Sequence, residues 1–250
     1  MNNSKPILII KTGNTYPQIS QHYGDFDHWI HAGLGNSPAS VISAHQGEPL
    51  PEPTSLAGVV ITGSHAMVTE QTPWMRTLTH WLYRLVKDSP AMPVLGLCFG
   101  HQLLAHALGG EVADNPMGME VGTVPLRLTE AGHHDPLLSA IVGHPWAQVV
   151  HRQSVLTPPR GATVLASNVH DACQAFRYGE CVWGVQFHPE FSADVMRAYL
   201  QALSGDSLTQ QQVDTHLQDV RECQDASSIL ARLARALLLT MRQPPEAARR

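Results

Sequence analysis

A chain of 250 residues with 43% hydrophobic and 15% charged content reads as a folded, soluble protein, long enough for one or two domains with a full α/β core. Its formal net charge of −5, from 21 acidic against 16 basic residues, argues against a nucleic-acid binder, which would carry a basic surplus or stripe. Cys98, Cys173, Cys181 and Cys223 form no C-x-x-C pair and the 15 histidines include no H-E-x-x-H, so reduced thiols and no metal site are expected.

The apolar run Pro6-Ile7-Leu8-Ile9-Ile10 is too short for a secretory signal or a membrane span. It predicts a first strand over 6–11, and a cytoplasmic location without membrane contact is the expectation. Residues 18–32 are predicted as a helix and 40–44 as a short strand. Gly47 to Pro53 holds three prolines and must be loop. Residues 57–62 are predicted as a buried strand ending at Gly63-Ser64. A helix follows, with Thr72 expected to cap it and Pro73 in its first turn. Trp74, Leu78, Trp81, Leu82 and Leu85 then recur at helical spacing.

Residues 93–97 predict another buried strand, running into a helix that ends at Leu108 before Gly109-Gly110. Beyond residue 110 the pattern turns strand-rich, with strands predicted at 120–128, 145–150, 162–167, 173–178 and 181–187. Ser192 is expected to cap a helix reaching Leu203. Residues 207–242 predict one or two more helices, with Leu230, Leu233, Leu237 and Leu238 on one face that packs on the core. The last eight residues are expected to fray. The alternation of strands and helices implies an α/β fold with a mostly parallel central sheet flanked by helices. One domain over 1–205 with a helical C-terminal extension over 206–250, not a separate domain, is the expected organisation.

Two segments carry chemistry. In Gly96-Leu97-Cys98-Phe99-Gly100-His101-Gln102 a strand turns directly into a helix with a thiol at the corner. Glycines on both sides let such a turn close, and the helix N-terminus favours thiolate. On this corner alone, a buried structural thiol remains an open alternative. Gln186-Phe187-His188-Pro189-Glu190 closes the strand 181–187. A nucleophilic cysteine needs a base, and the base an orienting group; His188 and Glu190 can supply both. Both segments lie at strand ends, where parallel sheets gather their sites.

Together these motifs resemble the class I, triad-type glutamine amidotransferase family, over about residues 6–200. That family is flavodoxin-like in fold and carries G-[IL]-C-x-G-x-Q and H-P-E. Cys98, His188 and Glu190 match its nucleophile, base and orienting acid. The resemblance implies an oxyanion hole from the backbone N–H groups of Gly63 and Phe99, and substrate contacts from Gln102 and from the loop holding His151, Arg152 and Gln153. Met119-Glu120-Val121-Gly122 and Gln174-Ala175-Phe176 resemble further family segments.

One departure stands out. Relatives carry His-x-Asp in that loop, and this chain has His151-Arg152-Gln153. The resemblance implies a glutaminase that needs no cofactor and passes ammonia to a separate synthetase, like the stand-alone GMP synthetase-like group. No Walker A loop or Ser-Gly-Gly-x-Asp-Ser loop is present to supply a synthetase in the same chain. A stand-alone γ-glutamyl peptide hydrolase and a silent regulatory or binding module are the alternatives.

Overall fold

The structure, a computed structural model, describes residues 5–143 and 145–242, with side chains through Leu237. The expectation of a frayed terminus, and the placement of the Leu238 side chain, lie outside the described residues. The first half runs β1 (Ile7–Lys11), α1 (Pro17–Tyr23), α2 (Phe26–Leu34), β2 (Ala39–Ser43), β3 (Gly58–Ile61), α3 (Pro73–Asp88), β4 (Val94–Leu97) and α4 (Phe99–Ala107). Then come β5 (Glu111–Asp114), β6 (Glu120–Pro125), β7 (Arg127–Leu128), α5 (Glu130–His134), β8 (Trp146–His151), β9 (Gln153–Thr157) and β10 (Ala162–Ser167). The chain continues through β11 (Ala175–Tyr178), β12 (Val182–Val185), α6 (Ala193–Ala202), α7 (Gln210–Asp219) and α8 (Gln224–Arg242).

Eight strands form the central sheet in the order β2-β1-β3-β4-β12-β11-β10-β7. The five from β2 to β12 are mutually parallel, and β11, β10 and β7 extend the sheet antiparallel. This is the mostly parallel, helix-flanked sheet that the sequence implies. Two small antiparallel pairs, β5 with β9 and β6 with β8, lie outside it.

Alternation along β1 divides the core. Ile7 and Ile9 face one layer with Val60, Leu95 and Leu97, covered by Ile30 of α2 and by Leu230, Leu233 and Leu237 of α8. Leu8 and Ile10 face the other with Val59 and Ile61, covered by Leu78 and Leu82 of α3 and Leu103 of α4. The apolar face of α8 thus lies against the same layer as the first strand. Trp74 and Trp81 of α3 are only half-buried; Trp74 lies against Phe99 with ring centroids 5.7 Å apart, and the Trp81 indole donates to Pro51 O of the proline-rich loop at 3.2 Å.

Several boundaries differ from the sequence expectation. The helix at 18–32 is two helices, because Gly24 takes φ 86° and Asp25 then caps α2 by accepting from Phe26 N. The strand at 120–128 is also divided: beyond Pro125 the chain leaves β8 and pairs with β10. Thr72 sits at the N-cap of α3, but its hydroxyl makes no capping bond. Pro73 at the first position needs no acceptor there. The short β5, β9 and α5 had no apolar period to announce them. Ser192 does cap α6, accepting from Val195 N at 3.2 Å.

Leu233 is 1% exposed, so Leu233→Ala leaves a cavity between α8 and the sheet. The expected loss is about 2–5 kcal/mol, read as a lower urea midpoint at unchanged slope.

Candidate active site

The site begins with a strained backbone. Cys98, between β4 and α4, has φ 49° and ψ −102°, outside the regions open to most side chains. The turn closes because its flanks lack side chains. A Cβ on Gly96 would lie 2.4 Å from Gly100 O, and one on Gly100 would lie 2.5 Å from Ile61 O. The Cys98 N–H donates to Val185 O at 2.9 Å, tying the corner to the neighbouring β12. Cys98 is 5% exposed, and its sulfur lies 3.6 Å from Val150 O and receives the Gln186 side-chain amide at 3.6 Å.

His188 enters from the end of β12. Its Nδ1 lies 2.7 Å from Glu190 Oε1, with both side chains buried. Phe191 stacks on the imidazole with ring centroids 4.0 Å apart, and Phe26 of α2 stacks at 6.2 Å. Gly63 borders the ring edge, where a Cβ would sit 2.9 Å from His188 Cε1. Burial pulls the proton affinity of His188 down. Glu190, which is hydrogen-bonded to the ring, and the charge of the Cys98 side chain outweigh it and raise the pKa to about 10. The structure therefore brings Cys98, His188 and Glu190 together.

Gly63 and Phe99 also converge here. Phe99 is the first residue of α4, so its N–H has no acceptor within the helix. Gly63 is held through its carbonyl, which accepts from the hydroxyls of Thr12 at 3.0 Å and Thr62 at 2.9 Å.

A cavity of about 220 Å³ opens beside the sulfur, with Gln102, Met119, Val150, His151 and Arg152 in its lining. It is below the usual range of about 300–1,000 Å³ for drug-sized ligands and suits a single amino acid. Gln102 is locked, its amide donating to Gln153 O at 2.6 Å and Gln186 Oε1 at 2.9 Å.

The loop at 151–153 behaves differently from a set of substrate-facing side chains. Both ring nitrogens of His151 are taken, by Gln153 O at 3.0 Å and Glu120 Oε2 at 2.8 Å. Gln153 turns its amide away to Thr69 Oγ1 at 2.7 Å and Asp114 Oδ1 at 3.0 Å, so only its backbone faces Gln102. Arg152 alone of the three extends to the cavity mouth, where it is exposed.

Tyr16 and His65, which carry no sequence signal, complete the walls, and Glu120, from a segment marked by the family resemblance, stands behind them. Glu120 binds His151, Asn168 and Gln174. His65 is held by burial, and then by the charge of His188, below its ordinary pKa, so it lines the cavity as a neutral ring. Tyr16 stacks on it at 4.4 Å. Among the described residues no cluster of three or more His, Cys, Asp or Glu could hold a metal ion, and no helix is long and apolar enough to cross a membrane.

The remaining thiols sit in different surroundings. Burial pushes Cys173 and Cys223 up to about 12, with Asp171 and Glu222 adding to the shift, and burial with Glu180 raises Cys181. Each stays protonated at neutral pH.

Comparison with known proteins points to one family. A family model described as glutamine amidotransferase class-I matches residues 21–203. The chain is 28% identical over 187 residues to a glutamine amidotransferase-like protein of Schizosaccharomyces pombe, covering 74% of this chain and 73% of that one. It is 26% identical over 179 residues to a subunit of the glutamine-hydrolysing GMP synthase of Halobacterium salinarum, covering 70% and 89%. A solved structure of a glutamine amido transferase from Methylobacillus flagellatus superposes with a TM-score of 0.73 over 98% of both chains; at 24% identity it speaks to the fold alone.

Because the folded state favours the imidazolium, its contribution to stability is full below the unfolded value of 6.5 and is lost as pH rises through about 10. A ¹⁵N NMR titration of His188 is expected to show a midpoint well above 6.5, and Glu190→Gln to move it down. A midpoint unaffected by that substitution contradicts the assigned cause. Separately, Gly100→Ala drives a Cβ into backbone and is expected to cost about 1–3 kcal/mol in chemical denaturation.

Proposed function

Because this chain belongs to the glutamine amidotransferase class-I family, we propose that it hydrolyses the γ-amide of glutamine through a thioester on Cys98 and releases ammonia to a synthetase on another polypeptide. The observation that carries this reading is the strained Cys98 beside a buried His188–Glu190 pair.

In the proposed cycle the Cys98 thiolate attacks the amide carbon. The carbonyl oxygen takes up negative charge, and the N–H groups of Gly63 and Phe99 receive it. Such donors act on charge that exists only in the transition state, and losing one costs about 10²–10³ in rate. His188, charged at neutral pH, protonates the departing nitrogen as ammonia leaves. It then takes a proton from water, whose hydroxide attacks the γ-glutamyl thioester. Glutamate departs, and the proton on His188 restores the starting pair. Glu190 holds the imidazole orientation and stabilises its charged form. Gln186 donates to the sulfur.

Transfer to a separate synthetase draws support from the relative in Halobacterium salinarum, which is named as one subunit of GMP synthase. The organisation as one domain over 1–205 with a helical extension belongs to this proposal, as does action inside the cytoplasm.

Purified protein is expected to release glutamate from glutamine, and Cys98→Ala to abolish the release. Turnover of γ-glutamyl peptides but not of glutamine, with or without added synthetase, would shift the reading to a peptide hydrolase. No turnover of either would favour a silent module. A glutamine-mimicking electrophile should label Cys98, since the other three thiols are held protonated. Mass spectrometry showing even labelling over four cysteines argues against an activated nucleophile.

A further inference from the structure

We propose that Asp206 and Arg152 form a two-charge clamp at the mouth of the Cys98 cavity, gripping the α-ammonium and the α-carboxylate of the γ-glutamyl substrate respectively. The inference rests on the acyl-transfer reading above and extends it to the residues that select the amino-acid head.

The cavity is graded from floor to mouth. Cys98 and Gln102 lie with apolar Met119, Val150 and Leu203, while Arg152 and Asp206 bring one charge of each sign. That gradient matches a γ-glutamyl amide: a reactive carbonyl at one end, methylenes between, and a zwitterion at the other.

Asp206 is set in place by its backbone. It belongs to a tight turn after α6, where Gly205 takes φ 80° and donates to Leu208 O at 2.8 Å. Ser207 N and Leu208 N both donate to Leu203 O, at 3.1 and 3.0 Å. The turn therefore presents Asp206 at a defined point on the rim without a long, freely rotating stem.

The two charges are linked without cancelling. Arg152 Nη2 donates to Ser207 Oγ at 2.5 Å, and Ser207 Oγ donates to Asp206 Oδ2 at 3.0 Å. The hydroxyl spaces the guanidinium from the carboxylate. One of five donors is used on Arg152 and one acceptor position on Asp206, so both keep bonding capacity for a ligand. The Tyr16 hydroxyl feels both charges: burial and then Asp206 raise its pKa, while Arg152 lowers it. Tyr16 also lines the cavity, together with His65, Arg152 and Asp206.

Opposite charges at one mouth favour a zwitterion over either half of it. An amide with only the carboxylate meets Asp206 uncompensated, and one with only the ammonium meets Arg152. Selection then arises from repulsion as well as attraction. On this reading Arg152 recognises the head common to glutamine and all γ-glutamyl compounds, and by itself does not demand a peptide.

Calorimetry on the full chain carrying Cys98→Ala tests the clamp without requiring turnover. Its ligands are L-glutamine, 5-amino-5-oxopentanoate, which lacks the α-ammonium, and 4-aminobutanamide, which lacks the α-carboxylate. Both analogues are expected to bind at least about tenfold more weakly than L-glutamine, the loss typical of a charged hydrogen bond. Added Asp206→Asn should weaken L-glutamine by a similar factor and erase its advantage over 5-amino-5-oxopentanoate. Added Arg152→Gln should erase the advantage over 4-aminobutanamide. L-glutamine binding that is unchanged by both substitutions overturns the clamp and leaves the acyl-transfer reading standing. Absence of L-glutamine binding before either substitution overturns glutamine as substrate, and the clamp with it.

Discussion

The insertion of β4 between β3 and β12, parallel to both, is the constraint on which the site depends. Gly96 pairs with Ile61 on one side and Gly184 on the other, and Leu97 pairs with Val185. Parallel pairing makes three chains leave the sheet at the same edge. Gly63, Cys98 and His188 follow those three strands and meet there, although 88 residues separate Cys98 from the Gln186 that donates to its sulfur. Long crossovers make such pairing costly to form, and apolar layers on both faces of the sheet stabilise it.

Within that edge, strain and packing are linked. A residue held in a sparsely populated backbone region costs about 1–3 kcal/mol, and it persists only where surrounding contacts over-determine it. Here the bond from Cys98 N to Val185 O, together with the two bare glycines, fixes the corner on both sides. The same closeness positions the base. Gly63 has no side chain because the His188 ring occupies that space, and two phenylalanines define the plane of the imidazole. A buried imidazole would ordinarily shed its proton; the adjacent carboxylate and sulfur reverse that preference.

Glu120 organises the next layer out in a comparable way. It is 6% exposed, and a buried carboxylate is costly unless donors surround it. Donors from three segments do so: His151 at 2.8 Å, Asn168 at 2.6 Å and Gln174 at 2.8 Å. One charge thus joins β6, β8 and the approach to β11. The acid that relatives place two residues after the loop histidine is absent at Gln153, and the partner of His151 comes from Glu120 on the facing strand. His151 and Gln153 are both tied inward, which leaves Arg152 between them exposed.

Much of the framework was legible locally. Five residues of β1, the walls of α3, and the glycine-flanked corner at Cys98 declare themselves because side-chain period and steric demand act over a few neighbours. Pairing the Cys98 and His188 motifs by resemblance identified which residues belong together. The division of 18–32 at Gly24 and the sheet change after Pro125 were not legible, since each depends on what the chain next packs against. Only the tertiary structure turned the Gln153 amide toward Thr69 and Asp114, stacked Phe26 on His188, and set Asp206 beside Arg152 through Ser207. Those contacts join segments far apart in the chain. Their geometry follows from strand order and loop closure, quantities that no local pattern of residues encodes.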